Sequence, residues 1–205
     1  SALLHTDFFA QPIPTDSLYL GQVPPGYEPK IFLLPINGSF RPIERITISS
    51  DRKEIYFSQL NGYGNPLNVT KIHCYKYFDN MWQGPTELFN GYAAPALSPN
   101  DSILFMQATI TYDRGETYYS RRTATGWSTP VQMFHFSQQS HYTQSTSLNN
   151  IYISTNFPGP SLRDVGKIII SGADTTVMNI GLPVNTALDE SDFFIARDES
   201  YIIHA

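Results

Sequence analysis

Pro95-Ala-Leu-Ser-Pro-Asn-Asp-Ser-Ile-Leu-Phe-Met-Gln107 decides the fold. Apolar residues stand on both sides of a polar Ser-Pro-Asn-Asp centre. Asn and Asp side chains bond their own backbone two residues on and so mark tight turns. The stretch therefore reads as strand, turn, strand. The same shape recurs at Ile46-Thr-Ile-Ser-Ser-Asp-Arg-Lys-Glu-Ile-Tyr-Phe-Ser58, at Gln144-Ser-Thr-Ser-Leu-Asn-Asn-Ile-Tyr-Ile-Ser154 and at Phe194-Ile-Ala-Arg-Asp-Glu-Ser-Tyr-Ile-Ile-His-Ala205. Aligned on Phe57, Phe105, Ile153 and Ile203, the copies lie 48, 48 and 50 residues apart.

A second marker keeps step. Trp82-Gln-Gly-Pro-Thr-Glu-Leu88 matches Trp127-Ser-Thr-Pro-Val-Gln-Met133, and Val177 to Pro183 is a weaker third copy. Between the markers run Lys71 to Tyr77, Glu116 to Arg122 and Gly166 to Ser171, each strand-like. Turn residues, Asp79-Asn80 and Gly126, precede the tryptophans. Each repeat is thus four strands joined by hairpins, at a period in the range of propeller blades. The expected fold is all-β, a β-propeller of four-stranded antiparallel blades. Residues 1–16 read as an N-terminal tail and 17–205 as the propeller domain, with repeats at about 42–91, 92–139, 140–189 and an incomplete 190–205. That makes about three and a half blades, or four if Lys30 to Leu34 lends a strand to the last one. The repeated residues carry packing and turn roles: Phe57 and Phe105 between adjacent blades, Trp82 and Trp127 over the outer strand's contact. Function in such an array sits where the repeats differ.

Composition agrees. The 205 residues include 13 Tyr, 13 Phe, 13 Gly and 15 Pro, which suit pleated sheets and turns better than helices. Eighteen acids against thirteen bases give a net charge of −5, which argues against a nucleic-acid groove. Cys74 stands alone, so no internal disulfide forms, and its place between His73 and Tyr75 predicts a buried thiol. No apolar run is long enough to span a membrane, and no basic region followed by an apolar one marks a leader.

Pro95, Ser98, Pro99 and Phe105, followed by a Tyr-ending strand and the Trp-x-x-Pro segment, resemble the WD40-like (PD40) repeat of TolB-type six-bladed propellers. Here Asn100-Asp101 replaces that family's Asp-Gly. Leu182 to Glu190 is similar to its linker into a new blade, and Tyr19 to Phe32 to the lead-in of exported bacterial members. The resemblance covers residues 17–205. It implies a periplasmic or cell-envelope protein, with a lipid anchor among the options, no cofactor, and a role in binding or scaffolding. Some relatives carry peptidases. Six blades do not fit in this length, so the chain reads as part of a longer propeller.

Thr111-Tyr-Asp-Arg-Gly-Glu-Thr-Tyr118 fits an Asp-box pattern but reads as the hairpin between strands two and three, with Gly115 supplying positive φ. No G-x-S-x-G nucleophile motif exists. Glycoside hydrolysis requires two carboxylates across a cleft, and Glu190, Asp192 and Glu44 are the candidates. His135 and His141 lack a third ligand, so no metal site is expected. Asn37-Gly-Ser39 and Asn68-Val-Thr70 are glycosylation sequons relevant only in a eukaryotic secretory pathway. The blade lead-in loops differ in sequence and meet at one mouth of the channel. They bring Tyr92, His141, Tyr142, Glu190 and Asp192 there as expected ligand-binding residues. The reading is a non-enzymatic binding or scaffold propeller with a saccharide or protein ligand; the alternative is a glycoside hydrolase or lyase on the same scaffold.

Overall fold

The computed structural model describes residues 13–15, 17–23, 26–36, 40–60, 70–109, 116–133, 140–158, 163–172 and 174–204. Residues 111–115 of the Asp-box segment, His135 and both sequon asparagines lie outside them.

Three antiparallel four-stranded units and one hairpin follow one another along the chain. Unit 1 is β1 (Arg41–Ile48), β2 (Glu54–Leu60), β3 (Lys71–Phe78) and β4 (Met81–Asn90), in that spatial order. Unit 2 is β5 (Tyr92–Leu97), β6 (Ile103–Ala108) and β7 (Glu116–Thr123), with an outer strand in two pieces, β8 (Gly126–Trp127) and β9 (Val131–Gln132). The break falls at Pro130, which has no N–H to donate. Ser128 bridges it: its Oγ accepts from Arg121 N at 3.0 Å and its carbonyl accepts from Ser120 Oγ at 2.6 Å. Unit 3 is β10 (His141–Ser145), β11 (Ile151–Thr155), β12 (Asp164–Ser171) and β13 (Asp174–Asn179). Unit 4 contributes β14 (Phe193–Ile195) and β15 (Ile202–His204).

The units stack face to face through their second strands, where residues alternate sides. Tyr56, Ile72 and Cys74 of unit 1 meet Leu97, Leu104 and Met106 of unit 2. Tyr152 and Val165 of unit 3 meet Phe193 and Ile195 of unit 4. Ile72, Leu104 and Val165 have no accessible surface, and each such side chain contributes about 1.5–3 kcal/mol by leaving water. Cys74 is buried, as its neighbours predict, and burial pushes its thiol up to about 12.

Two expectations need correction. First, the repeats are not in register at Phe57, Phe105, Ile153 and Ile203. The first-to-second-strand turns place a left-handed residue at Arg52, Asp101, Asn149 and Glu199. Tyr56 pairs with Thr47, Phe105 with Ala96, Tyr152 with Gln144 and Ile203 with Phe194. These four are the equivalents. Tyr56 and Tyr152 face the following unit, and Phe105 lines the cleft shared with unit 3. Phe57 and Ile153 sit on the opposite face, with Met106 as their counterpart. Adjacent aromatics at 56 and 57 allow either alignment by residue type, and only burial separates them. Second, Lys30 to Leu34 is not a strand. The Gln22 side chain takes the place of a ladder partner there, accepting from Leu33 N at 2.8 Å and donating to Leu33 O at 2.7 Å. The segment nevertheless alternates, with Phe32, Leu34 and Ile36 packed on Ile55, Phe57 and Tyr75. Trp82 joins that cluster and its indole donates to Ser17 O at 2.6 Å. Trp127 lies in the seam between units 1 and 2.

Each innermost strand of units 1 to 3 carries a bulge, between Ile43 and Ile46, Ala93 and Ala96, and His141 and Gln144. Within each, one non-glycine residue is left-handed: Glu44 at φ 62°, Ala94 at 51° and Tyr142 at 48°. Such a conformation costs about 1–2 kcal/mol. Bulges re-aim side chains, and these re-aim them toward the space the inner strands surround.

Candidate functional site

Arg45 follows the first bulge and reaches across that central space. Its Nη2 donates to Phe193 O at 2.7 Å, and its Nη1 to Tyr142 O at 3.3 Å and Thr143 O at 3.4 Å. The guanidinium lies 5.0 Å from the Tyr142 ring centroid and 5.7 Å from that of Phe193. One side chain from β1 therefore holds β10 and β14 together. Burial pulls its pKa down to about 10, against Tyr142, Asp192 and Glu44, which raise it, so it remains a cation at neutral pH.

Above Arg45 the Tyr142 hydroxyl donates to the Glu44 carboxylate. Burial raises the phenol pKa first, and the Glu44 and Asp192 carboxylates, both against the hydroxyl, raise it further. Glu44 and Asp192 are exposed and Tyr142 is half-buried. The mouth is thus a phenol flanked by two solvent-facing carboxylates, seated on a part-buried guanidinium.

Of the five residues expected from sequence, Tyr142 and Asp192 meet here, joined by Glu44. The other three are engaged elsewhere. His141 is buried and its Nδ1 sits 2.7 Å from Gln107 Nε2. Burial, then the Arg163 charge, pulls its pKa down to about 4, leaving the ring neutral at pH 7. The Glu190 carboxylate, on a residue only 3 % exposed, is taken by Thr186 of its own loop through Oγ1 at 2.6 Å and N at 3.2 Å. Tyr92 packs edge-on to Tyr118 and Phe89, with centroids at 5.3 and 6.2 Å, in the seam between units 1 and 2. Sequence reasoning missed Arg45. The available signal was a lone basic residue between Ile43 and Ile46, where the other repeats carry Pro95 and Thr143.

The opposite end of the central space is also bridged. Arg197 Nη1 donates to Pro99 O at 3.2 Å, while Ser147 N donates to Arg197 O at 2.7 Å. Among the described residues no group of three or more His, Cys, Asp or Glu could hold a metal ion. No described helix is long and apolar enough to cross a membrane.

Successive four-stranded units around a bridged centre match solved structures. TolB from Acinetobacter baumannii superposes with a TM-score of 0.53 at 11% identity, over 80% of this chain and 37% of that one. A puromycin-hydrolyzing peptidase of Mycobacterium tuberculosis gives 0.53 and 11%, over 77% and 24%. The fold is a β-propeller. The units are its blades, and the space crossed by Arg45 is its channel. At this identity the likeness extends to the fold and not to the activity, and this chain spans well under half of either structure. No protein-family model and no curated protein matches the sequence.

Proposed function

We propose that this chain is a non-enzymatic binding propeller of the bacterial cell envelope, and that it docks a protein partner on the channel mouth. The observation that carries this reading is the convergence of Glu44, Tyr142 and Asp192, from three blades, on one exposed spot. Two solvent-facing carboxylates at a rim attract a basic segment, and rim charges set on-rate and salt dependence. A saccharide stacked on Tyr142 is less well served, because Arg45 covers one face of that ring. A hydrolase would need carboxylates facing one another across a bond. Here both converge on one phenol, whose raised pKa disfavours a phenolate nucleophile.

Isothermal titration calorimetry with a lysine-rich peptide tests the reading. Binding should appear at low ionic strength, weaken as salt screens the rim, and fall about tenfold in the Glu44→Gln/Asp192→Asn double variant. Equal affinity in wild type and double variant would place any binding elsewhere. A neutral sugar that stabilises wild type but not Tyr142→Ala would instead support the saccharide reading.

A further inference from the structure

Two of the three seams between blades share a tyrosine–carboxylate feature, and the third lacks it. Between blades 1 and 2 the Tyr56 hydroxyl donates to Glu54 at 2.7 Å, and Arg122 of blade 2 clasps the same carboxylate at 2.6 and 3.2 Å. The turn residue Asp101 also accepts from Ser50 N of blade 1 at 2.7 Å. Between blades 3 and 4 the Tyr152 hydroxyl donates to Glu199 at 3.0 Å, and Glu199 accepts from Thr146 Oγ1 at 2.5 Å and Asn150 Nδ2 at 2.7 Å. In both seams a tyrosine hydroxyl meets a carboxylate: across the first, Arg122 bridges to the carboxylate that holds Tyr56, and across the second, the Tyr152 hydroxyl reaches the carboxylate itself.

Between blades 2 and 3 the parts are missing. Phe105 stands where Tyr56 and Tyr152 stand and has no hydroxyl. Ile103 replaces Glu54 and Asn149 replaces Glu199, so both carboxylates are absent. A cleft of about 540 Å³ opens there instead. Phe105, Ile103 and Met133 form its floor, serine and asparagine side chains its rim, and no charged residue lines it among the described residues. Ser145 is a lining residue whose Oγ is shielded from solvent with no hydrogen-bond partner. The cleft between blades 1 and 2 differs: three acids and three bases line it and neutralise one another.

We propose that the cleft between blades 2 and 3 is a binding site for an uncharged saccharide. A sugar ring has an apolar face for Ile103, Met133 and Ile151, which are part-exposed, and hydroxyls for the exposed side chains of Asn100 and Asn149. The volume falls in the range of small-ligand sites, which pair an apolar lining with a few placed polar groups. The described lining residues carry no charge, which favours an uncharged ligand, and the cation bound at the edge, Arg197, already donates to Pro99 O. This site is separate from the channel mouth and does not depend on the reading given for it.

Saturation-transfer NMR with cellobiose, maltose and N-acetylglucosamine tests the proposal. At least one should receive saturation from the protein and shift the Met133 methyl resonance, which reads the site without any substitution. The Phe105→Tyr/Asn149→Glu double variant rebuilds the tyrosine–carboxylate closure and should weaken binding by about tenfold or more. The Glu44→Gln/Asp192→Asn variant should bind as wild type does. Absence of transfer to all three sugars overturns the proposal. So does transfer without movement of Met133, or transfer lost on changing Glu44 and Asp192.

Discussion

Arg45→Ala should lower the unfolding free energy by about 2–4 kcal/mol and release β14–β15 before the rest of the molecule unfolds. Three carbonyls lose their donor at once, those of Tyr142, Thr143 and Phe193. The stem also leaves the rings of Tyr142 and Phe193. Against this stands the relief of burying a cation, visible in a pKa lowered to about 10. The loss wins because alanine fills none of the space and a buried unpaired carbonyl keeps its full desolvation cost. β14–β15 is the element most exposed to the change. It is a two-stranded hairpin, marginal by itself. Its turn is tied to blade 3 through Glu199 and Arg197, while along the strand Gln144 holds it by mimicking a partner, with Nε2 to Ile195 O at 2.6 Å and Ile195 N to Oε1 at 3.2 Å. Amide exchange across 193–195 and 202–204 should accelerate first, with urea unfolding reporting the total. Arg45→Lys should not restore the loss, since an ammonium lacks the planar fork that spans two strands.

Glu54→Gln should cost about 2–4 kcal/mol, through the seam between blades 1 and 2. Glu54 accepts from Arg122 and Tyr56, and Lys76 lies 3.3 Å away. Arg122 in turn stacks 4.4 Å from the Trp127 ring centroid and donates through Nε to Asp101 O at 2.8 Å. Removing the carboxylate charge leaves a part-buried guanidinium facing a neutral amide. The figure sits below the cost of breaking a fully buried pair because Lys76 and part of Arg122 still reach water. Burial alone would raise the Glu54 pKa, but hydrogen bonds from Arg122 and Tyr56 outweigh it and hold the group below its ordinary 4.5. A carboxylate depressed in the folded state stabilises fully above its unfolded pKa, and that contribution is lost as pH falls through the folded one. Wild type should therefore lose stability below about pH 4.5 more steeply than Glu54→Gln, as urea titrations across that range would record.

Both sites depend on contacts of different range, and that decides what the sequence discloses. Strands and turns were readable because alternation and Asx turns are local. The Ser49, Ser98 and Thr146 turns repeat with the same backbone bond three residues on. Register was not readable at Tyr56 and Phe57, because adjacent aromatics let either one stand opposite Phe105 and only the neighbouring blade distinguishes them. At the mouth, Tyr142 and Asp192 stood out because the lead-in loops differ between repeats. Glu190 looked the same by that criterion, yet Thr186, four residues before it in the same loop, occupies its carboxylate. Arg45 was silent for another reason. Its partners are main-chain carbonyls 97 to 148 residues away, and a carbonyl carries no residue-type signal. Tyr92 was misplaced because the rings it meets, Phe89 and Tyr118, belong to two blades.

The account rests on Glu44, Tyr142 and Asp192 forming one cluster at the channel mouth, and the ionisation of Tyr142 reads that cluster directly. With tyrosine labelled at ¹³Cζ, the Tyr142 resonance should stay protonated well above the ordinary tyrosine range, and Glu44→Gln/Asp192→Asn should move its titration back toward that range. A Tyr142 resonance that titrates like an exposed tyrosine in wild type, and equally in the double variant, would mean that the three residues do not meet.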